Sequence, residues 1–444
     1  MRRPLIKTPP PGPAAKAIVA RDTAALMTTT KTAPVVAERA EGVWIEDVDG
    51  NRFLDFTSGV GVVNTGYANP RVVEAIQRQA AKLIHYAGTD YYYREQVELA
   101  ERLAKVTPGA FAKKVFFSNS GTESNEAAIK IARYHKRRPQ FIAFVGAFHG
   151  RSMGSLSLTA SKIVHKQRFF PTMPGVTHVP YANPYRNPWG IDGYADGAEL
   201  VNRVIDHVEN LFSTMLPAEE IAALFVEPVQ GEGGYVVPPK QFLPALRKLC
   251  DAHGILLAAD EVQSGFGRTG KMFAQDHFGV ASDLLSLAKG IASGVPMGAQ
   301  VARADLDFDV SGAHSNTFGG NALAAAAALA TLDCLEKDGL VENAAKQGKR
   351  LREGLDALKA KHDAIGDVRG LGLMLATDFV KDRASREPDA KLRDRVADEA
   401  FRRGLVLLPC GKSSLRYIPP LVVSAEEIDA GLEVLREAIT AALK

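Results

Sequence analysis

The residues able to do chemistry fall in three short segments, each where an apolar run gives way to small or polar side chains. The first is Ser118-Asn119-Ser120-Gly121-Thr122-Glu123-Ser124-Asn125-Glu126, which follows the run 114–117 and precedes a helical pattern with Ala127, Ala128, Ile131 and Ala132. Hydroxyl and glycine residues between a strand and a helix N-terminus leave free N–H groups and a favourable dipole for an anion such as a phosphate. The same residue types also cap helices of every kind, so on its own the segment reads equally well as a capped helix. The second segment runs from Ala258 to Gly270 and places Asp260 directly after the apolar run 255–259. Its carboxylate therefore stands at the C-terminal end of a strand, where open α/β sheets hold ligands, and can pair with a cation or a protonated ring nitrogen. A turn or capping aspartate is the plain alternative. The third segment, Asp283-Leu284-Leu285-Ser286-Leu287-Ala288-Lys289-Gly290, ends another short apolar strand on a lysine. Near low-dielectric walls a lysine loses proton affinity and becomes a usable amine nucleophile. On the surface it merely snorkels, which is the commoner use.

Positioning these groups requires a sheet. Short apolar runs at 114–117, 141–145, 222–226, 255–259 and 284–287 alternate with helical patterns such as 123–136 and 241–253. That alternation implies βαβ units and a mostly parallel sheet, an α/β fold. The run 43–55 reads as two strands joined by an Asp49-Gly50-Asn51 turn. From about residue 335 long amphipathic helices mix with short strands near 372–379 and 414–418. The economical division is an N-terminal arm (1–34), the N-terminal part of a small α+β domain (35–80), a large domain (81–334) and the C-terminal remainder of the small domain (335–444). Within the arm the tract Pro9-Pro10-Pro11-Gly12-Pro13 predicts extended, polyproline-like chain.

Composition excludes several classes. Hydrophobic residues make up 46% of the 444 positions and charged residues 24%, which removes disordered, collagen-like and disulfide-stapled proteins. With 54 Lys+Arg against 51 Asp+Glu the net charge is only +3, too small to argue for nucleic acid or a membrane surface as partner. Cys250, Cys334 and Cys410 are far apart and lack metal-ligand spacing, so a reducing compartment and no metal are expected. The first forty residues carry no signal-type apolar core, and the longest apolar stretch, after Asn321, is alanine-rich helix rather than a membrane span. A cytoplasmic protein is expected.

Taken together and in order, these segments closely resemble the class III (ω-amino acid) aminotransferases, pyridoxal-phosphate enzymes of fold type I that include 4-aminobutyrate, ornithine and acetylornithine aminotransferases. The likeness runs from about residue 35 to the C-terminus. It also covers Asn64-Thr65-Gly66-Tyr67-Ala68-Asn69-Pro70, Phe148-His149-Gly150-Arg151, Glu227-Pro228-Val229-Gln230-Gly231-Glu232-Gly233-Gly234 and Asn316-Thr317-Phe318-Gly319-Gly320-Asn321. The resemblance implies a large domain built on a mostly parallel, seven-stranded type of sheet, with a smaller α+β domain from both chain ends. It implies pyridoxal 5'-phosphate carried by Lys289 as a Schiff base, with the freed lysine shuttling a proton between substrate and cofactor carbons. By the same resemblance Asp260 would keep the pyridine nitrogen protonated. Ser120, Gly121 and Thr122 would bind the phosphate, Phe148 would stack on the ring, the adjoining His149 would belong to the cofactor site, and Gln263 would hydrogen-bond the 3-oxygen. Thr317 would reach the phosphate of a neighbouring subunit, implying a homodimer with shared active sites or a larger assembly.

For substrates the resemblance assigns Arg151 and Arg416 to carboxylates, since a bidentate guanidinium is the natural clamp for a dicarboxylate such as 2-oxoglutarate. Glu232 would pair with Arg416 and swing aside when 2-oxoglutarate binds. Val60 stands where the 4-aminobutyrate enzymes carry an aliphatic residue and the ornithine enzymes a tyrosine. Thr122 and Ser124 depart from the family's usual alanines. The expected reaction is ping-pong transfer of an amino group from an ω-amino acid to 2-oxoglutarate, giving an aldehyde and glutamate. Racemisation or epimerisation of an amino acid on the same cofactor machinery is the alternative.

Overall fold

Fifteen strands and the helices between them, in a computed structural model describing residues 3–444, set out how the three segments meet. Met1 and Arg2 of the expected arm lie outside the described residues. In chain order the strands are β1 Ala37–Glu41, β2 Trp44–Asp47, β3 Arg52–Asp55, β4 Lys113–Ser118, β5 Gln140–Phe144, β6 Val176–Val179, β7 Ile221–Val226, β8 Leu256–Asp260, β9 Leu284–Leu287, β10 Gly298–Arg303, β11 Ile365–Leu371, β12 Met374–Phe379, β13 Leu405–Val406, β14 Leu408–Cys410 and β15 Ser414–Tyr417. Seven of them form one sheet in the order β4-β10-β9-β8-β7-β5-β6. From β9 to β6 neighbouring strands run parallel, while β10 is antiparallel to both β9 and β4. Every residue of β7, β8 and β9 is buried, and such doubly covered strands read as continuous apolar runs.

The five apolar runs of the sequence are the cores of β4, β5, β7, β8 and β9. β10 went unread because Gly298-Ala299-Gln300-Val301-Ala302-Arg303 is small and interrupted by an amide. Gln300 is nonetheless fully buried, accepting a hydrogen bond from Ser286 Oγ at 2.7 Å. Two four-stranded sheets complete the fold, β1-β2-β3-β13 and β11-β12-β15-β14. The hairpin read at 43–55 is present, with Trp44 opposite Leu54 and Glu46 opposite Arg52. β13, from the C-terminal part, adds parallel to β3, so both chain ends share one sheet.

The proline tract 9–13, read as extended, leads into a helix over Pro13–Ala25 that the sequence reading did not include. Pro13 stands at the first helical position, where a missing N–H costs nothing, and alanines fill the first turns. The Asp49 carboxylate accepts the Ala14 and Ala15 N–H groups at 2.9 Å each, an external cap that sequence pattern does not reveal. The Asn51 side chain accepts from Lys7 N and Thr8 N, and Leu5 bridges Arg52, so the arm is pinned to the hairpin turn.

Arg268, from the second chemistry-bearing segment, proves to be a tie-rod of the fold. It is fully buried. It donates to the carbonyls of Leu373 and Pro419, to Asn64 Oδ1 at 2.8 Å and to Ser58 Oγ at 3.4 Å, joining both chain ends to the large sheet. Burial pulls its proton affinity down to about 10. Arg268→Ala strands these acceptors, and each buried unsatisfied group costs about 1–3 kcal/mol. Thermal unfolding is expected to show a loss of about 3 kcal/mol or more; an unchanged midpoint would refute the tie.

Candidate active site

β8 and β9 lie side by side, with Asp260 level with Ser286, so Asp260 and Lys289 emerge at the same sheet edge. Asp260 is buried and held from three directions. Its Oδ2 accepts from Asn125 Nδ2 at 2.8 Å and meets His149 Nδ1 at 2.8 Å, and its Oδ1 accepts from Val262 N at 3.0 Å. A carboxylate offers about four lone-pair positions, so one stays free for a further donor. Asn125 also donates to the His149 carbonyl at 2.7 Å, locking the helix Gly121–Lys136 to the loop after β5. Buried Asn125 Oδ1 and His149 Nε2 have no protein partner.

Lys289 follows β9 with φ +46°, a conformation uncommon outside glycine and of the kind that clusters at functional sites. Burial is the main cause that lowers its amine's pKa; Arg416 adds to it, while Asp260, Glu227 and Glu232 oppose. Lys289 is thus a cavity lysine rather than a snorkelling surface one.

The helix Gly121–Lys136 starts against this edge. A side chain on Gly121 would stand 2.7 Å from Val262 Cγ1, so only glycine lets the helix start come so close. Ser120 is the N-cap and accepts from Glu123 N; its hydroxyl donates to the Glu123 carboxylate at 3.0 Å. The Thr122 hydroxyl turns towards the next loop. It accepts from Arg151 N and Ser152 N at 3.2 Å each and lies 2.6 Å from Ser152 Oγ. Among the described residues no acceptor meets the Gly121 or Thr122 N–H, so the anion-binding capacity here is backbone. Ser124 donates to the Leu287 carbonyl at 3.0 Å and ties the helix to β9.

These groups line a cavity of about 430 Å³, whose wall includes Ser120, Gly121, Thr122, Phe148, His149, Arg151, Glu232, Asp260, Gln263 and Lys289. Ten of the thirteen residues singled out from sequence therefore converge. Arg151 lies over the Phe148 ring at 5.5 Å, and Gln263 accepts from the Tyr235 hydroxyl at 2.7 Å. Arg416 does not line the cavity but reaches it through Glu232, with Nη2 3.2 Å from Oε2. Val60 is 45% exposed, at φ +70°. Thr317 is exposed and does not line the cavity.

Three contributors escaped the sequence reading. Asn125 was passed over inside the segment quoted for its helix start. Glu227 lines the cavity, buried, with Oε2 unpartnered; burial and then the neighbouring Asp260 charge push its carboxyl well above the usual range. Lys162 stands 2.6 Å from Glu232 Oε1. Only Asn125 and Glu227 carried a signal, as polar residues within quoted motifs.

A cavity with an amine at one strand end, a carboxylate at the next and a bare helix start between them defines a site for an aldehyde cofactor with an anionic tail. Residues 26–439 match the family described as aminotransferase class-III, and the chain belongs to that family. It is similar to an alanine/serine racemase of Pyrococcus horikoshii, 40% identical over 99% of this chain and 93% of that one. It is equally similar to a 4-aminobutyrate aminotransferase of Mycobacterium tuberculosis, 40% identical over 96% and 95%. An amine transaminase from an uncultivated Pseudomonas species, solved in its pyridoxal-phosphate-bound form, has TM-score 0.86 and 36% identity over 92% and 95% of the two chains.

The protein is a pyridoxal-phosphate enzyme of the class-III aminotransferase family. Its residues fit that cofactor: the free N–H groups of Gly121 and Thr122 suit the phosphate, the open lone pair of Asp260 a protonated ring nitrogen, and Lys289 the aldehyde.

Proposed function

We propose that this enzyme moves the amino group of an ω-amino acid, of the 4-aminobutyrate or ornithine/acetylornithine kind, to 2-oxoglutarate by a ping-pong sequence. The observation that carries the reading is Glu232, held between Arg416 at 3.2 Å and Lys162 at 2.6 Å beside the cavity. Burial raises its carboxyl's pKa, yet Arg416 and Lys162 outweigh burial and keep it ionised. An ω-amine without a carboxylate at that place finds Arg416 already neutralised. A 2-oxo dicarboxylate offers its own carboxylate in exchange.

Bound pyridoxal phosphate supplies an electron sink for negative charge at the amine-bearing carbon. Everything else is the chain's work. Lys289 Nζ takes the proton from that carbon and returns it, its basicity set by burial. Asp260 holds a positive charge opposite itself, oriented by Asn125, His149 and Val262. Gly121 and Thr122 hold the phosphate together with the Ser120 cap, Phe148 and His149 bound the ring, and Gln263 holds its 3-oxygen. Arg151 takes the distal carboxylate and Arg416 the one beside the reacting carbon. Val60 offers no polar group to a donor carboxylate, which favours 4-aminobutyrate-like donors over ornithine. Thr317 serves the phosphate of a neighbouring subunit; its exposure supports a homodimer with shared sites. A cytoplasmic place is part of this reading; the described residues include no helix long and apolar enough to cross a membrane.

Racemisation is the second reading, favoured by the racemase relative. The two separate in a single half-reaction on holoenzyme in heavy water without keto acid. Loss of the aldehyde absorbance with an ω-amine supports transamination; deuterium entering an α-carbon with inversion, the absorbance persisting, overturns it. Glu232→Ala leaves Arg416 unpaired opposite an ω-amine at a cost of about 1–3 kcal/mol, so the ω-amine half-reaction slows about tenfold or more while that with glutamate is largely spared. Equal loss in both refutes the exchange at Arg416.

A further inference from the structure

Glu232 divides its two oxygens between two cations. Arg416 takes Oε2, and Lys162, which no step so far requires, takes Oε1. Lys162 is half-buried and opens the short turn Ile163–His165, whose His165 ring meets Phe148 edge-on at 5.3 Å. Its ammonium is therefore fixed to the wall of the cavity rather than to a mobile surface. Arg416 and Lys162 place two positive charges against one carboxylate. A single pair would suffice to neutralise Arg416 in the resting site.

We propose that Lys162 is a positioning residue for dicarboxylate substrates, holding Glu232 after a substrate carboxylate has displaced it from Arg416. A carboxylate leaving a buried guanidinium with no second cation becomes an unpaired charge away from bulk water, which is costly. With Lys162 already on Oε1, Glu232 gives up one partner and keeps the other. Arg416 meanwhile exchanges one carboxylate for another, so the charge balance of the site is preserved throughout. Lys162 thus decides how easily the site admits a second carboxylate, and leaves binding of a monocarboxylate at Arg151 untouched. The proposal rests on the dicarboxylate reading of Arg416.

The test is calorimetric titration of holoenzyme with two unreactive acids, glutarate and butyrate, for wild type, Lys162→Met and Lys162→Arg. Lys162→Met is expected to weaken glutarate about tenfold or more and butyrate by less than about threefold, with Lys162→Arg close to wild type. The KM for 2-oxoglutarate follows glutarate, while the ω-amine half-reaction keeps its rate. The cofactor spectrum and melting midpoint establish that Lys162→Met is folded and loaded. Equal weakening of both acids, or undiminished glutarate binding, overturns the role of Lys162 alone. Wild-type holoenzyme that binds butyrate but not glutarate overturns the dicarboxylate reading and Lys162's role with it.

Discussion

Lys289→Ala is expected to reduce turnover about 10⁴-fold or more with every amino donor, in both half-reactions. The magnitude follows from the absence of a substitute near the reacting carbon. His149 is committed to Asp260 through Nδ1, with Nε2 buried among protein atoms. Lys162 is held by Glu232, and Arg151 and Arg416 do not release protons in proteins. Lys289 alone combines a place at the end of β9 with an amine whose proton affinity burial has lowered. A lowered amine pKa means that the neutral base persists to lower pH than for a free lysine near 10.4. Wild-type single-turnover rates should therefore hold well below that pH and fall only on further acidification, the direction in which the amine becomes protonated. The free N–H groups of Gly121 and Thr122, proposed to hold the phosphate, do not depend on Lys289, so the variant should still bind pyridoxal phosphate, although weaker and reducible no longer onto the chain. Single-turnover absorbance and a cofactor titration measure both. Retention of more than about a tenth of the rate would remove Lys289 from the chemistry.

How much of this was legible beforehand depends on what kind of interaction positions each group. Asp260 and Lys289 were readable because each ends an apolar run in a doubly covered strand, and the sheet edge follows from that pattern. The helix start proposed to hold the phosphate was readable as residue types but not as roles. Thr122 looks like a hydroxyl for an anion, yet its hydroxyl is consumed by Arg151 N and Ser152 N, contacts that exist only once the loop after β5 has folded back. Asn125 lies mid-helix in sequence and acquires meaning only by facing Asp260 from a different element. Lys162 and Glu232 are 70 positions apart, and no periodicity joins them. The same holds for the arm: the helix that begins at Pro13, where the proline tract ends, is capped by Asp49 from the hairpin turn. Local pattern encodes strands and helix starts. Tertiary hydrogen bonds between distant segments do not leave a local trace.

Asp260→Asn separates charge from shape at the same edge. The amide matches the carboxylate in volume, and its oxygen can replace Oδ2 towards Asn125 and His149. Its nitrogen then faces the Val262 N–H, donor against donor, where Oδ1 had accepted at 3.0 Å. That mismatch costs about 1–3 kcal/mol of stability, a modest loss in a chain of this size. The catalytic loss is expected to be larger, about 10²- to 10³-fold in kcat, because a neutral amide no longer favours positive charge at the ring nitrogen and the electron sink weakens. Asp260→Glu keeps the charge but moves it by one methylene within a buried cluster, so it should melt lower than Asp260→Asn yet retain more activity. The two variants therefore exchange rank between a thermal melt and a half-reaction assay. If Asp260→Asn turns over at nearly the wild-type rate, the carboxylate serves only to tie Asn125, His149 and Val262 together. In that case the positive charge it is assigned to hold must be stabilised by another group at the cavity.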